Sequence, residues 1–100
     1  MTSSAMDRQR AEAARDAALS VSGVADLYAG RFGEIAILLP GTRVEGVRKI
    51  ARDDRFGVEV HLVVDYALAR DVRDIAAEVR RAVAGAADVE IVDVVVADAR

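Results

Sequence analysis

One histidine, seventeen acidic side chains and no cysteine are what this chain offers for acid–base, metal or nucleophilic chemistry. His61 needs partners to act as a general base or a metal ligand, and on a strand Glu59 and Asp65 are the same-face candidates. By itself it reads as a surface or interface histidine. Asp53-Asp54 suggests a divalent cation, but the segment lacks the ligand spacing of a calcium loop and reads as a solvated hairpin turn. Asp88, Glu90, Asp93 and Asp98 fall on both faces of a strand, which separates any carboxylate pair. The serines stop at Ser22, so no nucleophile–base pair forms with His61 on spacing grounds. The glycines are scattered singly, and neither GxGxxG nor GxxxxGK occurs to cradle a phosphate. Arg73, Arg80 and Arg81 suit an acidic partner or simply the solvated side of a helix. No catalytic, cofactor-binding or metal-ligating set is expected, and the chain does not read as an enzyme.

The elements that position these residues centre on Val58–Ala97. Val58, Val60, Leu62 and Val64 alternate with Glu59, His61, Val63 and Asp65, a period of two that predicts a strand opening after Gly57. The period then changes. Leu68, Val72, Ile75, Val79 and Val83 share a helical stripe from Leu68 to Ala84, with Asp71 near the start and Gly85 just past the end. Such a helix is ~25 Å long at ~1.5 Å per residue. It can return along the sheet and deliver Val89–Val96 parallel to Val58–Val64 by a right-handed crossover.

That last strand is irregular. Val92, Val94 and Val96 share one face, while Val89, Ile91 and Val95 share the other with Asp93. Either a bulge re-phases it or both faces are partly covered. Val63 points the same way from its own strand. The large helix covers one side of the sheet, and the other meets the N-terminal helix or another molecule. His61, Val63, Ile91 and Val95 are therefore the candidate partner interface.

Upstream, Ser3 or Ser4 caps a first helix whose apolar stripe, Ala11, Ala14, Ala18 and Val21, is thin enough to pack weakly; residues 1–5 are expected to be disordered. Val24–Tyr28 and Glu34–Leu39 read as short strands around the Gly30–Gly33 turn, and Pro40-Gly41 is a break. Val44–Ala51 reads as a strand joined by the charged turn Arg52–Gly57 to the next, making Val44–Asp65 an antiparallel hairpin. The aromatics Tyr28, Tyr66, Phe32 and Phe56 stand at strand ends and turns without a basic surround, so no base-stacking platform is expected.

The totals agree. One hundred residues make one domain with a modest core, because twenty of the apolar residues are alanine. Thirteen arginines to one lysine reflect coding bias rather than a basic patch, and a net charge of −3 argues against nucleic-acid binding. The absence of cysteine means no disulfides and fits an intracellular protein. MTSSAMDRQR lacks the apolar core of a signal peptide, and no apolar run reaches the ~20 residues of a membrane span, so any membrane connection is peripheral, without direct insertion. The class is α+β: a two-layer sandwich with a small mixed sheet, a C-terminal β-α-β unit and an N-terminal helix.

The order of these elements resembles the alkaline shock protein family of envelope stress response proteins, in the short form seen in actinobacteria. The echoes are Val21-Ser22-Gly23-Val24-Ala25-Asp26-Leu27, Leu39-Pro40-Gly41-Thr42-Arg43-Val44, the Val58–Val64 strand, and the helix carrying Ile75-Ala76 and Val79-Arg80. The resemblance covers most of the chain and rests on patterned apolar positions and a few glycines. It implies a non-enzymatic cytoplasmic protein that self-associates. It also implies a place at the inner face of the cell membrane, through a related membrane-anchored partner, in cell-envelope homeostasis. The extended charged tails of longer members are absent, and polymer formation is not carried over. The alternative is a small-ligand or nucleic-acid binding module on a similar sandwich, which needs a concave pocket or a positive surface.

Overall fold

The computed structural model describes residues 6–100 as an α+β fold, a four-stranded mixed sheet with both helices on one face and a small two-stranded antiparallel sheet beside it. The expected disorder of residues 1–5 and the Ser3 or Ser4 cap lie outside the described residues. Helix α1 spans Arg8–Leu19, and Asp7 caps it by accepting from the Arg10 amide at 2.8 Å. Strands β1 (Val24–Leu27), β2 (Ala36–Leu39), β3 (Thr42–Glu45), β4 (Val47–Arg52) and β5 (Arg55–Val64) follow. A 3₁₀ turn, Tyr66–Leu68, leads to α2 (Val72–Ala87) and the final strand β6 (Ile91–Ala99).

Strand β5 is the centre. Strand β6 runs parallel along one edge, from Gly57 opposite Ile91 to Val64 opposite Ala99. The other edge is shared end to end by two antiparallel strands, β4 beside residues 55–60 and β1 beside residues 62–64. The expected β-α-β crossover is present. Val58, Val60, Leu62 and Val64 of β5 join Val47 and Val92 in one buried cluster with Ile75, Val79 and Val83 of α2. Ala11, Ala14 and Ala18 of α1 belong to the same cluster and are completely buried. Alanine allows this helix to lie close, and at its start Arg10 donates from Nε to the Ala87 carbonyl at 2.9 Å and from Nη2 to that of Asp88 at 2.6 Å. A cation thus meets the carbonyl end of α2, the sign the helix dipole favours. So α1 packs beside α2 and does not cover the second sheet face, one of the two possibilities left open above.

Four local expectations change. The Val44–Ala51 strand is broken at Gly46, whose φ of +88° turns the chain; β3 pairs with β2, and only β4 pairs with β5. A Cβ at Gly46 would stand 2.4 Å from that of Leu27, so glycine is required by space as well as by φ. The hairpin therefore begins at Val47, and its turn is Asp53-Asp54, both at positive φ (53° and 64°), with Phe56 already inside β5. This is the backbone of a type I′ turn. Leu68 lies in the 3₁₀ turn, and α2 begins after Asp71, whose side chain accepts from the Arg73 amide at 2.8 Å. At the other end Gly85 is inside the helix and Asp88, at φ 53°, is the left-handed cap. The apolar stripe runs one turn further than expected, to Ala87, because Ile75, Val79, Val83 and Ala87 are all needed against the sheet.

Candidate interaction surfaces

The second sheet face, with no helix over it, is built by the residues of β5 that alternate with its core row. Register places Arg48 (β4) and Asp93 (β6) beside Glu59, and Val95 beside His61. Glu59 is the hub. Its Oε1 lies 2.8 Å from His61 Nε2 and accepts from Arg48 Nε at 2.8 Å. These contacts, His61 first and Arg48 second, hold its carboxyl below the usual carboxylate range against the opposing effect of burial. One step along, Arg52 donates to Asp93 at 2.6 Å, and that hydrogen bond lowers the Asp93 carboxyl. These are paired, saturated charges. Among the described residues no group of three His, Cys, Asp or Glu side chains converges as a metal site would require. Asp65, the other expected partner of His61, instead caps the 3₁₀ turn by accepting from the Ala67 amide at 3.0 Å.

The four candidate interface residues do not remain together as a surface. Val63 is 0% exposed, Ile91 7% and His61 9%, all covered within one copy. Only Val95 keeps partial exposure. His61 is thus a buried, hydrogen-bonded histidine rather than a surface one. His61 and Val63 lie on β5, the central strand, which has β6 along one edge and β1 and β4 along the other. Arg80 is exposed, as expected of the solvated row, and its Nε donates to the Val92 carbonyl at 3.2 Å.

Exposed apolar surface lies elsewhere. Tyr66, Leu68 and Val72 are 79%, 51% and 41% exposed within seven residues of chain. They surround the segment that leaves the carboxyl end of β5. Hydrogen bonds fix that segment: the Tyr66 amide donates to the Arg100 carbonyl at 2.7 Å, and Ala69 turns at φ 53°. Arg70 bridges the Ser22 carbonyl (2.5 Å) and Glu78 (2.8 Å). A cleft of about 410 Å³ opens there between Val64, Tyr66, Val72, Ile75 and Ala99. The spacing of Leu68 and Val72 fits the helical stripe, which hides this patch in the sequence. The αL residue that ends the 3₁₀ turn is an alanine, which carries no breaker signal.

No helix among the described residues is long and apolar enough to cross a membrane. Comparison with protein-family models, with curated proteins and with solved structures returned no match for this chain.

Proposed function

We propose that this chain is a non-enzymatic interaction protein of the envelope stress response. In this reading it associates with copies of itself and is held peripherally at the inner face of the cell membrane by a related membrane-anchored protein. The envelope role is carried by the sequence resemblance. The structural observation that supports an interaction role is the rigidly held Tyr66–Leu68–Val72 patch beside an apolar cleft. Single exposed apolar residues are ordinary, and three large ones grouped on a pinned segment support a docking role. The charges of the second face are paired with one another, Glu59 with His61 and Arg48 and Asp93 with Arg52.

Fractionation and cross-linking in the native cell test this reading. The expected result is recovery with the membrane fraction, cross-linked to a membrane-anchored protein. A Tyr66→Ser/Leu68→Ser double variant should fold and lose that association. Recovery of the wild type wholly in the soluble fraction, with no cross-linked protein, overturns it.

A further inference from the structure

We infer that two copies of this chain join edge to edge through β6, antiparallel about a two-fold axis at Val95, so that their main sheets become continuous. This rests on the self-association proposed above and adds the surface through which it runs.

Strand β6 is nine residues long and has β5 on one side; among the described residues no strand lies on the other. Hydrogen-bond alternation fixes which of its backbone groups face outward. His61 donates to the Gly46 carbonyl (3.0 Å) and accepts from Tyr28 (2.9 Å), so its parity in β5 faces β1 and β4. Val64 accepts from Arg100 (2.9 Å), so the opposite parity faces β6. Given Val60 opposite Val94 and Leu62 opposite Val96, Asp93 and Val95 bond inward, while the backbone of Val92, Val94 and Val96 points away from the sheet.

That outer row is bounded at both ends. Arg80 occupies the Val92 carbonyl, and beyond Val96 a bulge shifts the register, so that Val63 lies opposite Asp98. Val94 and Val96 remain with donors and acceptors directed at solvent. Natural edges of this length are usually blunted by lysine, proline or a covering element. This edge reads Val-Asp-Val-Val-Val-Ala, and Val96 is 38% exposed.

A second copy is the occupant that completes the row. Rotation about Val95 sets Val94 against Val96 of the second copy as a hydrogen-bonded pair, and Val96 against Val94, for about four new backbone bonds. Val95 then meets Val95 of the second copy at the close, non-hydrogen-bonded position. Val94 and Val96 extend the apolar layer on the helix side, and Asp93 lies opposite Ala97, so no acid faces an acid within the strand. The strip is narrower than a standard interface of about 1,600 Å². The dimer is therefore reversible rather than obligate.

Because the chain has no cysteine, Val95→Cys introduces a single thiol at the axis. Paired at the non-hydrogen-bonded position, its Cα atoms fall within the range of about 4.4–6.8 Å that a disulfide spans. Mild oxidation of the full chain should yield a covalent dimer with Val95→Cys and not with Val92→Cys. Sedimentation velocity across concentration should show a reversible dimer. Val94→Pro should weaken it at least about tenfold; the amide it removes does not bond β5, so any fall in melting temperature comes from the lost valine side chain, which packs against the core. Val96→Lys should weaken it similarly and retains every amide. A wild-type mass that stays monomeric at all concentrations overturns the assignment. So does a dimer indifferent to both Val94→Pro and Val96→Lys, or one that Val95→Cys fails to lock. Membrane fractionation is read separately: a wild type absent from membranes that still dimerises through β6 sinks the anchoring reading alone. Membrane recovery with an indifferent dimer sinks the edge alone.

Discussion

The Ile91 carbonyl oxygen sits where a side chain on Gly57 would begin: a Cβ built there stands 2.0 Å from it. The φ of Gly57 is not positive, so the constraint is one of space, set by β6 crossing close to β5 at the first residue of their parallel pairing. Gly57→Ala must push the two strands apart at their origin. The expected cost is about 1–3 kcal/mol, measured as a lowered denaturant midpoint.

Glu59 supplies a pH dependence with a definite sign. Its folded pKa lies below the ordinary value because the charged form accepts from His61 and Arg48. Between the folded and unfolded values the unfolded chain binds more protons, so the contribution is fully present above the unfolded value of about 4.3 and is lost as pH falls through the folded one. Urea titrations from about pH 6 down to about pH 3 should show a steeper loss of stability in the wild type than in Glu59→Gln.

The β4–β5 turn offers a gain. Asp53 and Asp54 both hold positive φ, and the type I′ turn favours glycine at its second central position. Asp54→Gly should raise the melting temperature, with a gain of up to about 1 kcal/mol. A lowered midpoint would contradict the turn assignment.

Asp71 caps α2 through the Arg73 amide, and its carboxyl is held low by that residue's side chain and backbone. Asp71→Ala should cost about 1 kcal/mol and Asp71→Ser much less. The difference between the two variants, read by thermal denaturation, isolates the cap from the surface ion pair, whose exposed partners contribute little.

Sequence pattern and structure agree where one period dominates. The switch from alternation in Val58–Val64 to the Ile75–Val79–Val83 stripe was sufficient to read strand, helix and parallel return. The errors sit where one residue carries two meanings. Gly46 falls inside the expected Val44–Ala51 strand and is instead a strand break at positive φ. Gly85 was given the helix stop that Asp88 performs. The burial of His61 and Val63 is not legible in the alternation alone, because β5 becomes the central strand only through β1 and β4 sharing one of its edges, an arrangement made by contacts distant in sequence. The Tyr66–Val72 patch was hidden for the opposite reason: its spacing looked helical.

That shared edge also dictates an order of assembly. Every strand of the main sheet pairs with β5. A nascent chain can therefore lay down no part of that sheet until residues 55–64 are free to serve as its rail, and β4, one tight turn away, is the natural first addition. Strand β1, some forty residues upstream of its docking place, must wait with α1 still unsheltered, and closes a far longer loop than the tight turn that brings in β4. Late docking of the amino-terminal third, visible as slow protection of the Tyr28 amide, which donates to the His61 carbonyl of β5, relative to that of Ile50 in pulsed hydrogen exchange, is the kinetic signature this layout imposes.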